Sequence, residues 1–300
     1  MVIYENNCKA NMIRPNHYCQ FIKYNTYFEV ITLAISLILL SVIPFIIHPI
    51  NGQINNMSHL IINNPQEISP DDILDFRYSD LVNFTSKIEQ IYGHLNASLL
   101  NKYAGNESLT FAHASHPIAE VYPFVSPQIA NTSQSLNQSL YSILVNLPEL
   151  SRNMTNDEYL RTIQSTNDIL KDITDAVIPK NLQNDVLFNS FVIVNLLDLA
   201  GYEYQAAVTN GTISAIFEYQ DSKAFIKQAE KLMSIFNADP ETSAGSSGLF
   251  PLVSSLNTSI GEVATPEEIY LSIDRIFSKM TTILSTDKLT LLSKLGITTD

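Results

Sequence analysis

Cysteine is nearly missing: Cys8 and Cys19 are the only two in 300 residues, so no disulfide framework holds the long segment after them, which must stand on its core. Tryptophan is absent, glycine numbers 9, and charged residues make up only 16% of the chain. The apolar fraction of 45% supplies that core and excludes disorder over most of the length. Basic residues are scarce as well, with 17 Lys and Arg against 30 Asp and Glu for a net charge of −13. With no local basic patch, such a chain repels a phosphate backbone, which excludes nucleic acid as a partner. HExxH, G-x-S-x-G, Walker A and the dinucleotide glycine fingerprint are all absent, so the common hydrolase, nucleotidase and dehydrogenase routes lack their marks. No nucleophile and base pair stands out either, and the expectation is a protein that is not an enzyme.

One long run without charge is present. Val30 to Ile47 passes eighteen residues between Glu29 and His48, just enough to cross a hydrocarbon core of about 30 Å. Lys9, Arg14 and Lys23 precede it, and the next basic residue is Arg77, so the positive-inside asymmetry predicts a single-pass cell-membrane protein with its N-terminus cytoplasmic and its main domain extracytoplasmic. A leader this long, with no A-x-A-like site after Pro49, reads as a signal anchor in preference to a cleaved signal peptide. The predicted layout is a cytoplasmic tail (1–28), a transmembrane helix (29–48), a linker (49–70) and an extracytoplasmic domain (71–300). Sequons begin at Asn56, Asn83, Asn96, Asn106, Asn131, Asn137, Asn153, Asn210 and Asn257, all beyond the span and more numerous than composition gives by chance, so the outer domain is expected to be a glycoprotein. Cys8, His17 and Cys19 offer three ligand types but no fourth and no CxxC spacing, and read as reduced thiols of the tail.

Beyond the linker the pattern is helical, and the fold class expected is all-α, an antiparallel helical bundle of about 230 residues following the membrane helix. Ser69-Pro70-Asp71-Asp72 reads as a cap, a proline at the first helical position and acids at the helix N-terminus, opening a helix to about Leu100. Thr265 with Glu268 three positions on forms a capping box before a helix to about residue 283. Between them, helices are expected near 108–116, 121–146, 156–178, 183–209, 213–237 and 249–261, with no convincing strand. Asn210-Gly211 marks a left-handed turn between two amphipathic helices, so residues 183–237 read as a helical hairpin.

Chemistry concentrates in two places. In FAHASHPIAE, His113, His116 and Glu120 recur at spacings of three and four, which on a regular helix puts two imidazoles and a carboxylate on one face, half a site for zinc, iron or copper. Pro117 opposes this, since it disfavours the α region at His116 and would make that residue a cap. The structural alternatives are a bond from His113 to a neighbouring helix and a solvated Glu120. In the hairpin, Glu203 continues the stripe of Phe188, Val192, Leu196 and Leu199, and Glu218 lies on the facing stripe with Ser222 and Phe225. Two inward acids need partners, and inward carboxylates with histidines are how bundles build metal sites. Lys, Tyr or backbone partners would satisfy them equally.

Taken together, HASHPIAEVYPFVSPQIA and VNLLDLAGYEYQAAVTNGTISAIFEYQDSKAFIKQAEKL resemble the extracytoplasmic helical region that accompanies the oxidase-coupled iron permease family, and more distantly the imelysin-like periplasmic proteins, over roughly residues 80–285. The resemblance implies that His113, His116 and Glu120 match a histidine element and that Glu203, Glu218 and Asp221 match an acidic hairpin, giving a site for iron or another divalent metal. The chain departs from the permease in having one span with no charge inside, where the channel needs several helices with a glutamate motif. The function expected is therefore a membrane-anchored accessory protein that binds metal or serves iron uptake, docked to a permease or another envelope protein. The competing expectation is a non-enzymatic cell-envelope structural or interaction module, and convergence of these side chains in space discriminates the two.

Overall fold

The computed structural model describes residues 70–285. The expected tail, membrane helix, most of the linker and the segment after residue 285 lie outside the described residues. From Phe76 on, the described residues belong to one compact unit, and of the other unit only Pro70–Asp75 are described, as the first turns of the opening helix.

That helix, α1 (Pro70–Tyr103), starts on the proline expected at its first position. Ile88, Ile91 and Leu95 fall on one face at helical spacing and are fully buried, as is Val82 on the other side of the helix. Gly105, in the left-handed region at φ 73°, ends it: the Asn106 amide reaches back to the Asn101 carbonyl at 2.9 Å, the closing bond of a Schellman cap. The chain reverses into α2 (Glu107–His116), passes through a π-helical turn (Pro117–Val121) and continues as α3 (Tyr122–Thr132). The single helix expected over 121–146 is two. Ser133 turns extended at φ −155° and ψ 104° and its hydroxyl accepts from the Leu136 amide, capping α4 (Gln134–Asn153). Thr155 and Glu158 form a full capping box for α5 (Asn156–Val177).

After a short α6 (Lys180–Gln183), Asp185 caps α7 (Val186–Ala207), whose N-terminal Phe188 amide donates to its carboxylate. Asn210 (φ 52°) and Gly211 (φ 70°) do adopt the left-handed turn, but what they close is a miniature hairpin, β1 (Val208–Thr209) paired antiparallel with β2 (Thr212–Ile213). Two left-handed residues in sequence give the primed turn that joins antiparallel strands, which a helix cap does not need. The chain returns as α8 (Ile216–Leu232), followed by short α9 (Ile235–Ala238) and α10 (Ser243–Ser246), then α11 (Leu249–Gly261) and α12 (Pro266–Ile283), the last opened by the expected box of Thr265 and Glu268.

α7 and α8 pack along their lengths, α11 lies on α8, and α12 on α7 and α11, a four-helix bundle. The Tyr204 and Tyr219 hydroxyls tie it by donating to the Ala264 and Ile260 carbonyls at 2.7 and 2.9 Å. Among the described residues α7 alone is long and apolar enough to cross a membrane, with a mean hydropathy of 1.3, and 67% of that stretch is buried inside the protein. Its two-sided burial is what a central core helix requires.

Candidate metal centre

Three helices aim polar side chains at one buried point. The Schellman turn folds α2 back along α1, and the Ser98 hydroxyl pins the pair by donating to the Thr110 carbonyl at 2.7 Å. One turn further, this antiparallel register sets His94 of α1 against His113 of α2, with imidazole centroids 6.5 Å apart. α8 crosses the same point because Gly93 has no side chain there: a Cβ would stand 3.0 Å from Cδ1 of Phe225. Asp221 is thereby brought between the histidines.

Pro117 does not displace His116 as its chemistry alone predicts. His116 stays helical at φ −57° and ψ −43°, and Pro117 is absorbed by the π turn, in which the Tyr122 amide bonds the Pro117 carbonyl five residues back. The wider turn shares out the carbonyls that a proline would otherwise leave unmatched. It also shifts the register after His116, so the face that Glu120 would share on a regular α-helix is lost.

Asp221 is the hub. Its Oδ1 accepts from His94 Nδ1 at 2.8 Å and its Oδ2 from His116 Nδ1 at 3.1 Å. His113 Nδ1 lies 3.1 Å from Oδ1, yet outside hydrogen-bonding geometry, a buried ring nitrogen with no partner. The other nitrogen of that ring, Nε2, is 2.7 Å from Oε1 of Gln220. His94, His113 and Asp221 are buried, at 3%, 0% and 5% exposure, and His116 is half-buried. One ligand atom from each of the four lies within 4.8 Å of all the others. A tetrahedral ion with bonds of about 2.0–2.1 Å holds its ligands about 3.4 Å apart, so the four atoms would draw together to close the set.

Burial pushes the Asp221 carboxyl up, but the charge of His94 and the contacts with His113, His116 and His94 hold it well below the usual carboxylate range. Burial pushes His116 down, and the hydrogen bond to Asp221 with the charges of Glu120, Asp221 and Glu203 outweighs it, lifting the imidazole to about 9. The site favours positive charge at this position.

Of the residues expected from sequence, His113, His116 and Asp221 converge, and His94 completes them. Glu120, Glu203 and Glu218 are half-buried and do not join the ligand group, but they lie near enough to act on it. Glu203 is raised to about 8, first by burial and then by Asp221, Glu120 and Glu218, with His116 opposing. Glu218 Oε2 is buried without a hydrogen-bond partner. Lys87, lowered by burial, feels Glu120 and Glu203 in the opposite sense, and its ammonium stands 5.3 Å over the Phe124 ring. The two inward acids of the hairpin thus form an acidic flank to a histidine and aspartate centre. Sequence reasoning left His94 out of the site, although its place three residues after Ile91 and beside Leu95, on the apolar stripe of α1, was a readable signal.

Residues 179–287, a little over a third of the chain, match the family model of the iron permease-associated 4-helix bundle domain. The matched segment is the bundle of α7, α8, α11 and α12, as the resemblance implied, and it ties this part of the chain to iron permeases. It contains Asp221, Glu203 and Glu218, while His94, His113 and His116 precede it. No curated protein and no solved structure matches the chain.

Proposed function

We propose that this chain is a non-enzymatic, membrane-anchored extracytoplasmic protein that binds iron or a similar divalent metal through His94, His113, His116 and Asp221 and serves an iron permease as its accessory. The observation that carries the reading is His113 Nδ1. This ring nitrogen is buried 3.1 Å from a carboxylate oxygen without hydrogen-bonding geometry between them, and a cation held by both would convert the unmatched contact into two bonds. Three imidazoles and one carboxylate suit borderline divalent metals, iron and zinc among them. Glu120, whose charge acts on His116, supplies negative potential beside the centre, which raises the local concentration of cations.

The matched permease-associated bundle supports the iron and permease elements of this reading. The uncharged run of Val30 to Ile47 supports the anchor. None of the sequon asparagines among the described residues is buried: Asn83, Asn106, Asn131, Asn153, Asn210 and Asn257 are exposed and Asn96 and Asn137 half-buried, as extracytoplasmic glycosylation requires.

The test is thermal unfolding of the full chain in detergent, metal-stripped and then titrated with iron(II), zinc, manganese or copper, beside a His113→Ala/His116→Ala variant. A rise in melting temperature that grows with metal concentration in the wild type and is lost in the variant is expected. No shift with any of the four metals would refute metal binding and leave an interaction module.

A further inference from the structure

The His113 ring is held from behind as well as from the front. Asn101 of α1, 5% exposed, donates from Nδ2 to the Ala97 carbonyl at 2.9 Å. A backbone carbonyl only accepts, so the orientation of the Asn101 amide is fixed. The same Nδ2 donates to Oε1 of Gln220 at 2.7 Å, and Asn101 Oδ1 accepts from Gln220 Nε2 at 3.3 Å. Rotating the Gln220 amide by half a turn would set donor against donor and acceptor against acceptor, so Gln220 is fixed in turn. Its Oε1, 2.7 Å from His113 Nε2, therefore accepts, and the proton of a neutral His113 resides on Nε2.

We infer that Asn101 and Gln220 are positioning residues that lock the His113 tautomer, presenting Nδ1 as a metal ligand towards Asp221. The inference rests on the metal reading above and adds what selects the ligating nitrogen. An acceptor on the remote N–H of a ligating histidine orients the ring and raises its basicity, and losing one typically costs about 10–100-fold in metal affinity. The lock begins at the Ala97 carbonyl, crosses two amides and ends at the imidazole, joining α1, α8 and α2 in a chain that includes no ligand except His113. Gln220 and Asp221 are neighbours on α8, so one turn of helix reaches both edges of the ring, the amide from behind and the carboxylate from in front.

The test uses the full chain, metal-stripped, with nitrogen-15 in its histidines, His113 being assigned by the signal lost in His113→Ala. Imidazole nitrogen shifts are expected to place the proton on Nε2 in the wild type and in Gln220→Glu, which keeps the acceptor. Asn101→Asp removes the donor that fixes Gln220 and is expected to move the proton to Nδ1, while Gln220→Leu gives a mixture. Zinc and iron(II) competition against a chromophoric chelator is expected to show about 10–100-fold weaker binding for Asn101→Asp and Gln220→Leu and near wild-type binding for Gln220→Glu. A purely structural role would weaken all variants alike without moving the proton. The proton on Nδ1 in the wild type, or wild-type tautomer and affinity in Gln220→Leu, would overturn the inference. A wild-type chain with the proton on Nε2 that binds neither metal would instead overturn the metal reading, and with it the ligand role given to Nδ1.

Discussion

Asp221 carries more of the site than any other single residue, because both of its oxygens are committed to imidazoles in a buried setting. Asp221→Asn keeps its shape and removes the charge. That leaves one buried and one half-buried ring donor without their anion, at an expected cost on the order of 3 kcal/mol to the metal-free protein in urea unfolding, together with loss of metal uptake. A variant as stable as the wild type would show that the carboxylate is not the counter-charge described. The histidine it binds gives a pH signature. His116 rises from 6.5 to about 9 in the folded state, so its stabilisation is full below pH 6.5 and lost as pH climbs through about 9. Glu203, raised from 4.5 to about 8, has the same sign over a lower range, whereas Asp221, held below its usual 3.8, stabilises above that value and loses its contribution only in acid. The metal-free melting temperature is therefore expected to fall between about pH 6.5 and 9, and to fall less in the metal-loaded chain, where the ion takes the place of the His116 proton. A flat profile over that range would contradict a protonated His116. At this scale the sequence was half legible. A spacing of three exposed the pair His113 and His116, but His94 lies on another helix, and which helix faces which is tertiary information that no spacing contains.

The elements place these residues by two local devices. Gly93 is the closer contact of α1 with α8, and in Gly93→Ala the new methyl meets Phe225, at 3.0 and 3.2 Å from two of its ring carbons. That ring also stacks edge-on to His94 with centroids 5.2 Å apart, so it cannot yield without moving a ligand. Overpacking of about 1–3 kcal/mol outweighs the helix propensity of about 1 kcal/mol that alanine returns. Gly93→Ala is expected to lower both the urea midpoint and the metal affinity, and a higher midpoint with unchanged affinity would show that the helices have room to spare. The second device is the π turn. Pro117 was read from sequence as a break that makes His116 a cap, because a proline inside a helical pattern signals one, while here the helix widens and continues. The split at Ser133 was missed for a related reason: within the polar run Asn131-Thr132-Ser133-Gln134-Ser135 no residue stands out as a breaker until the Ser133 hydroxyl finds the Leu136 amide. α12, opened by the capping box of Thr265 and Glu268, began where its motif placed it, since a cap is a local bond that the chain makes with itself.

For the molecule as a whole, the centre sits where the permease-associated bundle meets the helices that precede it. The bundle brings the carboxylate, Asp221, and α1 and α2 bring the imidazoles. Neither half holds a complete ligand set, so the bundle expressed without residues 70–178 is expected to bind no metal even if it folds, which equilibrium dialysis against zinc would check. Retention of zinc at full affinity by that fragment would contradict a shared centre. The most direct measurement is X-ray absorption at the metal edge of the full chain loaded with iron(II) or zinc. One ion per chain is expected, with nitrogen and oxygen neighbours at about 2.0–2.2 Å and outer-shell scattering from three imidazoles, falling to two in His94→Ala. Substoichiometric metal, or a shell of oxygen alone with no imidazole scattering, would contradict a centre built from His94, His113, His116 and Asp221.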